Sequence, residues 1–105
     1  MTLADLWAAI GGPRVYEGFL KDDKGKHLHG LCDYERDAIF VNVKYSVVDS
    51  VVHELLHRKF PRRSERRIQQ DTDAILASMT PADIAWWYRR FQVIKRPSRL
   101  VELEK

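Results

Sequence analysis

Between Val15 and Lys44 the apolar residues come in short runs separated by polar turns, and from Ser46 onward they recur every three or four positions. The first pattern belongs to strands, the second to helices that bury one face. Three strands are predicted, Val15 to Phe19, His27 to Tyr34 and Ala38 to Lys44, the last two joined as a hairpin through Glu35-Arg36-Asp37. Val48, Val51, Val52 and Leu55 then mark a helix from Ser46, its cap, to about Phe60, where Pro61 ends it. Ser64 caps a second helix of this half, with an inward stripe of Ile68, Thr72, Ile75 and Met79. Thr80 caps the last, with Pro81 in the first position and Asp83 in the first turn. Ahead of the strands, Thr2 and Asp5 begin a short helix over Leu3 to Ile10 that stops at Gly11-Gly12-Pro13. The order implies an α+β domain: a first helix, a small antiparallel or mixed three-stranded sheet, and C-terminal helices. Beyond Lys95-Arg96-Pro97 the chain reads as a polar tail, residues 97–105.

A chain of 105 residues fills one core, so residues 1–105 are expected to form a single domain. Its hydrophobic share of 45% and charged share of 31% are those of a globular protein. No run approaches the length of a membrane span, and the N-terminal stretch lacks the basic start and apolar run of a signal peptide. Cys32 is the one cysteine, which excludes an internal disulfide and a cysteine metal cluster. A cytoplasmic protein is expected. Lys+Arg 18 against Asp+Glu 15 gives +3, and the excess gathers in the second half, notably at Arg62, Arg63, Arg66 and Arg67. Such a cluster is either a solvated helix face or a contact for nucleic acid.

One stretch carries chemistry on its face: His53-Glu54-Leu55-Leu56-His57. Four residues are slightly more than a helical turn, so both imidazoles leave the same side, about 6 Å apart along the axis. One cation can bridge them. Neutral imidazole suits Zn2+, and Glu54 can reach a water on that metal as general base without being a ligand. A catalytic zinc takes three protein ligands, and Glu65 is the candidate third. It stands three residues before Ile68, on the same inward stripe, where a carboxylate needs a cationic partner. The competing reading makes Glu65 an acidic first-turn residue favoured by the helix dipole. Asp71 and Asp73 are reserve ligands and Glu35 a distant one. His27 and His29 alternate on a strand, but without a third ligand they read as polar surface. Trp86, Trp87 and Tyr88 read as core backing the two preceding helices, and Cys32 as a packed strand residue.

With those residues in place, the stretch from about Gly30 to Met79 resembles the zincin metallopeptidases, among them the very small gluzincin-like members whose third ligand is glutamate. The resemblance implies a zinc-dependent peptidase acting on a peptide or protein, with ligands His53, His57 and Glu65, and Glu54 as base. It also implies a cleft between sheet and motif helix, where substrate adds as a further strand along Ala38 to Lys44. Glu65 follows His57 by only eight positions, much closer than in larger gluzincins, so its role requires a tight turn at Pro61. Phe60 and Arg63 stand where the metzincin continuation needs glycine and histidine, which excludes that branch. Tyr88, Tyr45, His27 and His29 are the candidates for stabilising an oxyanion. Some minimal relatives are latent because terminal residues cover the cleft, a role open here to the tail after Pro97. Two readings compete with hydrolysis: a basic nucleic-acid-binding module using the arginine cluster, and a metal-stabilised relative that cuts nothing.

Overall fold

The computed structural model describes residues 1–12 and 14–96; Pro13 and the tail from Pro97, with the covering role expected of it, lie outside the described residues. Four helices and three strands follow in the order α1 (Leu3–Ile10), β1 (Arg14–Glu17), β2 (Gly30–Asp33), β3 (Ala38–Val41), α2 (Val43–Lys59), α3 (Glu65–Ala77) and α4 (Pro81–Ile94). The fold is α+β, and no helix among the described residues is long and apolar enough to cross a membrane.

Local chemistry sets most boundaries. Thr2 and Thr80 each accept a hydrogen bond from the backbone N–H three residues on, while Asp5 and Asp83 accept from the cap residue's own N–H in return. Gly11 ends α1 with a left-handed φ of 85°, a conformation that costs glycine nothing. The Asp33 carboxylate accepts from the N–H of Glu35 and Arg36 and so builds the expected hairpin turn, which Asp37 closes at φ 49°. The helix predicted from Ser46 begins earlier, at Val43, with Asn42 at its N-terminus. Asn42 is buried because it works at long range: its side-chain N–H donates to Leu28 O (2.9 Å) and its backbone N–H to His29 O (2.8 Å). Ser46, the predicted cap, turns its hydroxyl to His29 instead.

The sheet is mixed, with β3 in the middle. β1 runs parallel to it (Arg14 opposite Ala38, Glu17 opposite Val41) and β2 antiparallel (Gly30 opposite Val41, Asp33 opposite Ala38). This corrects one expectation. The strand before the motif helix has neighbours on both sides, so a peptide cannot add beside it; the free edges belong to β1 and β2.

Tyr45 and Val48 of α2, Leu76 of α3 and Ile84 of α4 form the buried centre, with Val52, Met79, Tyr88 and Phe91 packed against it. The stripe on α3 runs through Ile68, Thr72 and Leu76; Ile75 stays 42% exposed. At 100° per residue Ile75 lies about 60° back from Thr72, on the edge of the buried arc. On α4 the same arithmetic buries Ile84 with Tyr88 and Phe91 beside it and leaves Trp86 and Trp87 exposed, not in the core as expected. Cys32 is likewise exposed, because β2 is an edge strand.

Candidate metal centre

His53 and His57 lie one turn apart on α2, on a flank of the helix beside the α3 start, with ring centroids 4.9 Å apart. The five residues between the helices reverse the chain through a braced turn. Phe60 N–H closes α2 onto Leu56 O, and Arg63 N–H bonds to Phe60 O at 3.1 Å. The Arg63 guanidinium lies over the Phe60 ring, 3.5 Å from its centroid, and donates to Asp71 Oδ2 at 2.8 Å. Ser64 then caps α3 by accepting from Arg67 N–H. Glu65, the first residue of α3, is thereby swung back onto α2. The tight turn at Pro61 that its role requires is present.

The Glu65 carboxylate meets both imidazoles: Oε1 lies 2.6 Å from His53 Nε2 and Oε2 2.7 Å from His57 Nε2. One donor atom from each of the three residues falls within 4.8 Å of the others. The Glu65 side chain is 69% exposed, while His53 and His57 are largely covered, so the group is a rim site open on one side. Partial desolvation pushes the Glu65 carboxyl pKa up, but hydrogen bonds and attraction from His57 and His53 outweigh it and hold the group below its ordinary value of 4.5. An Nε2–H of each ring donates to the carboxylate. The same nitrogens, deprotonated, are the atoms a metal would take, so cation and protons compete for one place.

The donor set fits a divalent ion. Two imidazole nitrogens and a carboxylate are a ligand set zinc accepts, and among the described residues their side chains bond only to one another. The Glu65 side chain is exposed at the start of α3, which leaves it room to adjust to an ion. This group can hold a metal ion. The reserve ligands are not brought to it: Asp71 is bound by Arg63 and Arg67, and Asp73 accepts from Gln69. Glu35 sits in the distant hairpin turn. Arg63 and Arg67 are thus both committed to Asp71, which halves the arginine cluster available to a nucleic acid.

Glu54, one residue on from His53, is exposed and has no hydrogen-bond or ion-pair partner among the described residues. Its carboxylate is turned about 100° round the helix from His53. The other two histidines divide: His29 is exposed, as the surface reading expects, and His27 is not. His27 is buried, not surface: its Nε2–H donates to Met79 O at 3.0 Å, a contact 52 residues away, and its ring stacks on Tyr45. His29 donates from Nε2 to Asp49 Oδ2 (2.9 Å), accepts at Nδ1 from Ser46 Oγ (2.7 Å), and packs on the other side of the helix start against Tyr45. Asp49 is four residues before His53, so this pair lies one turn along the same flank of α2. Of the four oxyanion candidates, Tyr88 packs against the core and Tyr45 is buried between the two histidines. The Asp49–His29 link and the Arg63–Asp71 brace escaped the sequence reading, because each joins residues whose proximity only the tertiary fold creates.

Set against family models, curated protein sequences and solved structures, the chain matches none of them; what it offers is an α+β domain with a His53–His57–Glu65 group able to hold a metal ion.

Proposed function

We propose that this chain is a zinc-dependent peptidase of the small gluzincin-like kind, hydrolysing peptide bonds. The observation that carries the proposal is the convergence of Glu65 on His53 and His57 from a separate helix. Two imidazoles at helical spacing are common; a carboxylate delivered to both by a braced turn is much less so.

In this reading His53, His57 and Glu65 hold the metal and Glu54 is the general base. A bound zinc ion would polarise the scissile carbonyl and acidify the attacking water. Glu54, unpartnered and next to the first ligand, takes the proton from that water and afterwards returns it to the leaving amine. The open side of the group, where Glu65 is exposed, admits the substrate. Arg63 acts as a positioning residue, since its stacking on Phe60 and bond to Asp71 fix the turn that presents Glu65.

The test is turnover of a fluorogenic peptide library by the zinc-loaded protein, with and without a chelator. Activity should vanish on chelation and return with zinc, and Glu54→Gln should keep its metal but lose at least about a hundredfold in kcat. Turnover that survives the chelator, or that Glu54→Gln leaves untouched, removes the proposal. Binding to nucleic acid that falls steeply with salt and ignores the chelator would favour the basic-module reading instead.

A further inference from the structure

Among the apolar surfaces of the described residues that face solvent are one helix and one groove. The helix α1 buries none of its residues, and Leu3, Leu6, Trp7 and Ile10 form its apolar face. Further round α2 from His53 and His57, a groove of about 370 Å³ opens between α2, α3 and α4. It is lined by Val52, Leu55, Ile75, Met79, Trp87 and Phe91, with Lys59 at one end. Three of those side chains remain substantially exposed, Leu55 at 54%, Trp87 at 44% and Ile75 at 42%. Ile75 belongs to the helical stripe that the sequence directs inward, yet among the described residues it stays 42% exposed.

We infer that the groove receives α1 of a second copy of this chain, each copy of a two-fold dimer lending its helix to the other. Helix and groove are carried by the same chain, so a pair of copies satisfies both surfaces by one symmetric exchange and requires no other partner. The dimensions agree: an eight-residue helix is about 12 Å long, and the α2 wall from Val48 to Lys59 runs about 16 Å. The charges agree too. Asp5 is the one charged residue of α1, and Lys59 is the one charged residue lining the groove. A membrane surface is a poorer occupant, because α1 carries no lysine or arginine to meet lipid headgroups. Each seated helix would remove roughly 400 Å² of its own surface and as much of the groove, so the reciprocal pair buries roughly 1,600 Å², the size of a standard specific interface. The exchange lies further round α2 from His53 and His57 and does not depend on the metal reading.

Sedimentation velocity of the full chain across micromolar concentrations tests this. The wild type should run as a dimer, and Leu6→Glu and Ile75→Lys should each run as monomers, with Kd weakened at least about tenfold. Leu6→Glu alters a helix with no fully buried residue and leaves the core of α2, α3 and α4 unchanged. Should circular dichroism show Ile75→Lys unfolded, Lys59→Glu at an exposed position serves in its place. Mixing the α1 variant with the groove variant should restore a dimer, because one wild-type helix then meets one wild-type groove. A wild type that stays monomeric at every concentration overturns the inference, whether α1 folds onto its own groove or the monomer cosediments with phosphatidylcholine vesicles. So does a dimer that both variants leave intact, or a mixture that fails to associate.

Discussion

A metal held by His53 and His57 on α2 and Glu65 on α3 ties two helices together, so loading the site should stabilise the fold by an amount that can be worked out beforehand. Zinc at a hundred times its Kd adds about 2.7 kcal/mol if only the folded chain binds it. For a domain of this size each kcal/mol raises Tm by about 4–6 °C, which gives a shift of about 11–16 °C. Removing an outer-shell partner costs 10–100-fold in metal affinity, so deleting a ligand should cost about 100-fold or more. His57→Ala at the same zinc concentration is then near its Kd and gains only about 0.4 kcal/mol, a shift of about 2 °C. Without metal the comparison should look different. The Glu65 side chain is 69% exposed, and solvent-exposed ion pairs contribute little, so Glu65→Gln and wild type should melt at nearly the same temperature until zinc is added. Scanning calorimetry of the three proteins, metal-free and at that one zinc concentration, reads all six melting temperatures. Equal shifts in wild type and His57→Ala, or none in either, would refute the reasoning, because the ion would then be held elsewhere or not at all.

Other consequences follow from the core and from Tyr45. Ile84 is fully buried where α4 meets α2 and α3, so Ile84→Ala should cost about 3 kcal/mol in urea unfolding while leaving zinc content per chain unchanged. Burial, reinforced by Asp49 and Asp73, raises the Tyr45 phenol above its ordinary 10.0, so the folded chain keeps this proton after the unfolded chain has lost it. Its contribution is complete below pH 10.0 and is lost as pH rises through the raised value; Tyr45→Phe should therefore flatten the alkaline limb of the stability curve, and an unchanged limb would contradict the assignment. Arg63→Ala should loosen the turn after Phe60 and weaken zinc affinity roughly tenfold without removing a ligand, as isothermal titration would show.

What the sequence made legible was what adjacent residues decide. The caps at Thr2, Ser64 and Thr80 were readable because each bonds within its own first turn. The His53–His57 spacing was readable because a helix converts sequence separation directly into geometry; Glu65 was readable in part, since it opens the stripe of Ile68 and Thr72 but its carboxylate is 69% exposed and not turned inward. What was missed depended on distant partners. Ser46 looks like a cap, but its hydroxyl is taken by His29, and the helix start moved to Asn42, which ties down Leu28. His27 is buried only because Met79, far along the chain, supplies a carbonyl. The middle position of β3 comes from its parallel pairing with β1, a crossover that no local pattern encodes. Trp86 and Trp87 were placed inside by size, whereas rotation round α4 gives that face to Ile84, Tyr88 and Phe91.

The most direct measurement of the central claim is zinc per chain, by elemental analysis of protein equilibrated with zinc and then freed of excess. The account predicts one zinc in the wild type and in Glu54→Gln, and far below one in His53→Ala, His57→Ala and Glu65→Ala. Equal, substoichiometric metal in all five proteins would contradict it.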